Sequence, residues 1–501
     1  MSTKHTALRR FAAGAGALAL ALAGFAGVGT AAMADENDPV GTNIGPDQPG
    51  APDDGTLTIN KYSGGPVGQG ETPDRDNLLD GVEFTVTRVG KVDGGTCVPL
   101  DLTNASHWDG LEDLFDSAPA APADPFCLTT TVKDAVTVGG KVTFTLDVGI
   151  YLVQETDPGD HPIVSKVPDF YVSIPTSLGE GGAGWTYDVV ADPKNQLMDV
   201  PSKTIDEDQV DLVVGSDVTW TLNVPIPVLN NDETFTEAVI TDTLDSRLTY
   251  VPGSSTVTID SDPATPLVDG THYNVEGNAV WTLTESGRAL LDDNQGNNLI
   301  IEFDTTVTSV GNGSIPNDDY ASKFNGTTVP GEDEPHTYWG QLSILKTDDS
   351  ETALPLAGAE FQVFDAAGTQ CPATVPTGDP VATGVSGDDG IVLWDYTSPA
   401  TSPLGLWIAN SDDPLNSPTK DYCVYETVVP SGHSAGVITN PVTISAGENN
   451  VNALTIVNPK TDGPDLPLTG AQGTLLMTVG GLVLVGIGGG ALALTRRRKT
   501  E

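Results

Sequence analysis

Apolar and polar residues alternate in short runs along most of this chain. Thr56-Leu57-Thr58-Ile59, Val82-Glu83-Phe84-Thr85-Val86, Lys141-Val142-Thr143-Phe144-Thr145-Leu146 and Val218-Thr219-Trp220-Thr221-Leu222 each put their large apolar side chains on one face of an extended segment. Leu299-Ile300-Ile301-Glu302-Phe303 adds a β-branched run of the same length. No comparably long stretch repeats at the helical period away from the two ends, and 56 Gly with 37 Pro supply turns between short strands. The pattern therefore predicts an all-β protein of stacked β-sandwiches. Only Phe11 to about Val28 and Leu475 to Leu494 are long, apolar and free of charge.

Those two runs read as export and anchoring segments. Lys4, Arg9 and Arg10 precede the first, and Ala32-Met33-Ala34 offers small residues for cleavage, as in a secretory signal removed after Ala34. As a helix the second would span about 30 Å, enough to cross a bilayer, and Arg496-Arg497-Arg498-Lys499 would hold its far end in the cytoplasm. Just before it stands Leu466-Pro467-Leu468-Thr469-Gly470. This order resembles the sorting signal that sortases of Gram-positive bacteria cut between threonine and glycine. The resemblance implies that the Thr469 carbonyl is passed to an amine and that the chain ends up on the cell wall, bound to peptidoglycan.

Net charge is −47, and the removed ends carry much of the basic charge, so the mature chain is more acidic still. Such a field argues against nucleic acid or anionic lipid as partners. Cys97 with Cys127 and Cys371 with Cys423 fall as local pairs, which in an exported protein read as two disulfides. They lack the close spacing of a zinc site. The histidines after the signal (His107, His161, His272, His336, His433) show neither triad nor metal spacing, so the chain is not expected to be an enzyme acting on external substrates. No cofactor is expected. The acidic turns Asp206-Glu207-Asp208 and Asp348-Asp349 are the candidates for Ca²⁺, although such clusters are usually only solvated.

Two segments recur. Thr56-Leu57-Thr58-Ile59-Asn60-Lys61 matches Gln341-Leu342-Ser343-Ile344-Leu345-Lys346, and Tyr151-Leu152-Val153-Gln154-Glu155-Thr156 matches Tyr422-Cys423-Val424-Tyr425-Glu426-Thr427. Asp192-Pro193-Lys194 likewise mirrors Asn458-Pro459-Lys460, so the first and third domains are copies of one design. The expected organisation is signal 1–34, linker 35–54, domains 55–196, 197–338 and 339–462, and sorting segment 463–501.

A lysine at the inward position of a strand is costly to bury unless it is paired or neutral. In the third domain Lys346 has such a place, Glu426 sits in Tyr422-Cys423-Val424-Tyr425-Glu426-Thr427-Val428-Val429-Pro430-Ser431-Gly432-His433, and Asn458 ends the last strand. This resembles the CnaB-type Ig-like domain and its E-box YxLxETxAPxGY, with departures at Val424, Val429 and His433. The resemblance implies a spontaneous isopeptide bond from Lys346 to Asn458, promoted by Glu426. Lys203, Asp242 and Asn325 in the middle domain resemble the CnaA-type arrangement, with Asp242 as the promoting acid and a bond from Lys203 to Asn325. In the first domain Lys61 and Glu155 are present, but Asp192 stands where the copy has asparagine. The sequence leaves open whether Lys61 is linked to it.

Trp185-Thr186-Tyr187-Asp188-Val189-Val190-Ala191-Asp192-Pro193-Lys194 resembles the pilin motif WxxxVxVYPK at Trp185, Val189, Pro193 and Lys194, and departs from it at Ala191 and Asp192. Together these features resemble the major shaft subunit of sortase-assembled fimbriae, as in Actinomyces. They imply head-to-tail linkage of Thr469 to Lys194 of the next subunit, with sortase, identical subunits and a minor or tip pilin as partners. A role in adhesion and biofilm, with host or bacterial glycans as candidate ligands, also follows from the resemblance. The rival expectation is a wall-anchored adhesin that stays monomeric.

Overall fold

The computed structural model describes residues 44–461 except 65–76, 108–109, 112–113, 115–121, 178–183, 231–232, 396–398, 437 and 439. The signal, the sorting motif and the apolar span lie outside those residues. Among the described residues no helix is long and apolar enough to cross a membrane.

The first sandwich grows from strand Asp54–Asn60, which pairs antiparallel with Lys141–Asp147 and parallel with Asp188–Ala191. Lys141–Asp147 alternates strictly, burying Val142, Phe144 and Leu146. Facing it is a sheet of Thr96–Pro99, Glu83–Asp93, Gly149–Asp157 and Phe170–Ile174, with Phe126–Val136 also paired to Glu83–Asp93. Phe84, Val86, Val153 and Val172 of that sheet close the core over Leu57 and Ile59. A second small core around Leu100, Leu102 and Phe126 covers the other side of the sheet. The Cys97–Cys127 disulfide fastens this region, and Cys371–Cys423 is formed as well.

The middle sandwich sets Ser202–Ile205, Asp217–Pro225, Asn298–Val307, Thr256–Ile259 and Thr265–Leu267 against Tyr273–Glu276, Val280–Leu283, Ala238–Asp242, Tyr320–Phe324 and Thr327–Pro330. Trp220, Trp281, Phe303 and Phe324 fill its core. One feature escapes strand periodicity, the helix Glu285–Asp292, capped by Thr284, whose hydroxyl accepts from the Gly287 amide. Glycine is needed there because a Cβ at 287 would meet the His272 carbonyl oxygen at 1.9 Å.

The chain divides into two compact units: Met1–Gly340 with Gly405–Lys420 and Ser445–Asn450, and the remainder from Gln341. The first two sandwiches share a unit because Val164 packs in the middle core, Asn230 donates to Ser165 and Lys166, and Thr327 donates to the Ile163 carbonyl. Gly405–Lys420 joins them through Trp407, buried in that same core, and Asn410, which donates to the Asp206 carbonyl at 2.7 Å. In the second unit, the end of strand His336–Asp348 runs parallel to Asn452–Asn458. A sheet of Val392–Trp394, Ala382–Ser386, Glu360–Asp365, Thr419–Val428 and Val442–Ser445 completes that fold.

Candidate functional site

Three lysines, Lys61, Lys203 and Lys346, have side chains fully removed from solvent, and each meets a buried carboxylate. In the first sandwich Lys61 Nζ lies 2.7 Å from Glu155 Oε2. Asn195 completes the group: its Oδ1 accepts from Lys61 at 2.6 Å and its Nδ2 donates to Glu155 Oε1 at 2.7 Å. Burial, working against the Glu155 carboxylate, lowers the Lys61 amine from 10.5 to about 8.

Asp192 is not the partner. The parallel pairing of Asp54–Asn60 with Asp188–Ala191 ends at Ile59 opposite Ala191, and Asp192 then accepts from the Asn60 side chain at 2.9 Å. The chain breaks at Pro193 and starts a new strand, Lys194–Leu197, placing Asn195 opposite Ser63. Ser63 is two residues past Lys61, just as Asp348, opposite Asn458, is two past Lys346. The shared words Asp-Pro-Lys and Asn-Pro-Lys hid this register. The signal in the sequence was the asparagine directly after Lys194.

The middle site is the most enclosed. Lys203 Nζ donates to Asp242 Oδ2 at 2.5 Å and lies 5.2–5.7 Å from the ring centres of Trp220, Phe303 and Tyr320. Burial lowers the lysine to about 8 and raises the Asp242 carboxyl above its ordinary range. Asn325 is absent from this group, which corrects the sequence expectation. It forms a hairpin turn with Gly326, both at positive φ, and its Oδ1 accepts from the Thr236 and Glu237 amides. Asn-Gly between two strands is the signature of such a turn. The asparagine in place is Asn317, buried, with Nδ2 3.2 Å from Asp242 Oδ2. Among the described residues Asp242 Oδ1 and Asn317 Oδ1 have no hydrogen-bond partner.

The third site has the anticipated residues in a looser contact. Lys346 Nζ is 3.8 Å from Glu426 Oε1 and donates to the Ile456 carbonyl at 3.0 Å. Asn458 Nδ2 donates to Glu426 Oε1 at 2.7 Å. Burial lowers Lys346 below the ordinary lysine range. Just beyond, Lys460 pairs with Asp348 at 2.9 Å, fastening the end of the last strand.

All three groups can do the same chemistry. A buried amine with a lowered proton affinity is a nucleophile, the amide carbon of asparagine is its target, and a carboxyl between them can move the proton. Burial separates Lys194 from this role: Asn195 is fully buried, while Lys194 is only half-buried and has no ion pair among the described residues. Val189 of the same motif is in the core.

Neither acidic turn gathers metal ligands. Asp206 Oδ1 accepts from the Asp208 amide, Asp348 is held by Ser350, Leu354 and Lys460, and among the described residues no group of three His, Cys, Asp or Glu could hold a metal.

A family model described as the LPXTG cell wall anchor motif matches residues 458–501. The chain is 28% identical to fimbrial subunit type 2 of Actinomyces naeslundii, over 98% of this chain and 97% of that protein. Its identity to fimbrial subunit type 1 of Actinomyces viscosus is 29%, over 96% of this chain and 97% of that one. The solved full-length major pilin SpaD from Corynebacterium diphtheriae shares the fold, with a TM-score of 0.57 and 24% identity, covering 82% of this chain and 98% of that one.

Proposed function

We propose that this chain is a cell-wall-anchored fimbrial shaft subunit, as its similarity to fimbrial subunits and its anchor motif support, and that it is polymerised by sortase through Thr469 of one subunit and Lys194 of the next. Three internal isopeptide bonds then harden it: Lys61 to Asn195, Lys203 to Asn317 and Lys346 to Asn458. The observation that carries this reading is the recurrence of one buried lysine, acid and asparagine group in every sandwich. An ordinary fold avoids burying even one ammonium, because pairing rarely offsets the loss of its hydration. Converting amine and amide into a neutral amide removes that cost permanently. Head-to-tail joining through two different sites on each subunit does not close on itself and gives an open fibre.

Each bond forms as Lys Nζ attacks Asn Cγ, the Cγ–Nδ2 bond breaks, and ammonia leaves with a proton relayed from Nζ by the carboxyl group. Glu155, Asp242 and Glu426 are the relays. Adhesion, a tip subunit and glycan ligands are further parts of this proposal. An adhesin that does not polymerise would give a single anchored band on immunoblots of wall extracts, where a shaft gives a ladder of covalent multimers.

A pH measurement tests the chemistry inside the sandwiches. Asn317→Ala keeps Lys203 a free amine, lowered to about 8 when folded against 10.5 when unfolded. Between those values the unfolded chain holds the extra proton, so the variant gains stability as pH rises from about 8 to 10.5, by up to about 1.4 kcal/mol per pH unit. In the parent this nitrogen is an amide and contributes no such rise. Urea melts of both proteins across that window should diverge; parallel curves would argue that the parent is not crosslinked.

A further inference from the structure

Attack of an amine on an amide throws negative charge onto the amide oxygen, and a donor already aimed at that oxygen is among the strongest aids an active site can offer. Two of the three sites have one. In the first sandwich the main-chain N–H of Val167 donates to Asn195 Oδ1 at 2.7 Å. In the third, the N–H of Gly436 donates to Asn458 Oδ1 at 2.8 Å. Lys61 also donates to Asn195 Oδ1, but it must give up that contact to attack.

The two donors share no sequence, Lys166-Val167-Pro168 against Ala435-Gly436, and their places differ: Gly436 lies in the loop directly after the strand bearing Glu426, whereas Val167 follows the short strand Ile163–Ser165 that comes after the strand bearing Glu155. Pairing of Ser165 with Gln196 holds the first loop against the asparagine strand. In the second, glycine permits the approach: a Cβ at 436 would lie 2.9 Å from the Val457 carbonyl oxygen and 3.2 Å from Asn458 Oδ1. The middle site differs, since Asn317 Oδ1 has no donor among the described residues and the Asp242 carboxyl must serve both oxygen and proton.

We propose that the main-chain amides of Val167 and Gly436 are oxyanion donors for isopeptide formation, and that the middle domain runs the same reaction without one. The assignment rests on the triad reading above. In the step, Nζ–Cγ forms, charge collects on Oδ1 against the N–H, and the carbonyl is restored as Cγ–Nδ2 breaks and ammonia departs.

The test replaces one amide by an ester in the full mature chain, with 2-hydroxyisovalerate at position 167 or glycolate at 436, made by cell-free translation and quenched at intervals. Each ester removes the N–H and keeps the side chain. Tryptic mass spectrometry then follows ammonia loss at each asparagine. The 167 ester should slow Asn195 joining on the order of 100- to 1000-fold, while Asn317 in the same molecules joins at the parent rate. The pH at which the rate rises should stay where it is, because the amine is untouched; a merely structural role would move it. Joining at the parent rate in a folded ester variant overturns the proposal. Absence of all three bonds in the parent would instead sink the triad reading. The esters lie in separate domains, so misfolding of one leaves the other to decide.

Discussion

Asp242→Ala is expected to leave Lys203 and Asn317 unjoined and to lower the melting temperature of the middle sandwich by on the order of 10–20 °C. Two effects add. A crosslink closing a loop of about a hundred residues contributes about 4.7 kcal/mol through the unfolded chain, and Lys203 would keep its place among Trp220, Phe303 and Tyr320 without a counter-charge. At about 2–4 °C per kcal/mol for a domain of this size, the loss is easily resolved by calorimetry. Asn317→Ala should lose the same bond. Asn325→Ala should retain it and cost only about 1 kcal/mol, because there the side chain merely serves a hairpin turn. Equal effects at positions 317 and 325 would refute the assignment of Asn317.

Lys194→Arg is expected to abolish the ladder of covalent multimers while leaving every internal bond in place. Arginine keeps the charge and much of the reach, but its guanidinium does not lose a proton in water and cannot accept an acyl group. Burial makes the two functions separable: residue 194 is half-buried, while residue 195 is fully enclosed. Immunoblots of wall extracts read the polymer and intact mass reads the internal bonds. Persisting multimers in the variant would move the acceptor elsewhere.

Much of this was legible in the residues, and the failures have definite causes. Alternation at Lys141–Asp147 and Asp217–Pro225 gave strands, and the acids Glu155, Asp242 and Glu426 stood out from their strand words. The asparagines were harder, since they lie at strand ends, where one break in pairing changes which residue faces inward. Pro193 makes such a break, so aligning Asp192 with Asn458 misplaced the first site by one short strand. Asn325 attracted attention by following a strand, but the glycine after it marks a turn. Asn317 follows the three-residue strand Ser314–Pro316, too short to announce itself by periodicity. The two-unit organisation could not be read either, because it depends on Val164 and Trp407 leaving their own sandwiches to fill a neighbour's core.

The most direct measurement of the central claim is the mass of the mature recombinant chain, followed by mapping of its tryptic peptides. The account predicts a mass short by three ammonias, with branched peptides joining Lys61 to Asn195, Lys203 to Asn317 and Lys346 to Asn458. A chain at its full sequence mass, less only the hydrogens of two disulfides, with all six residues on linear peptides, would contradict it.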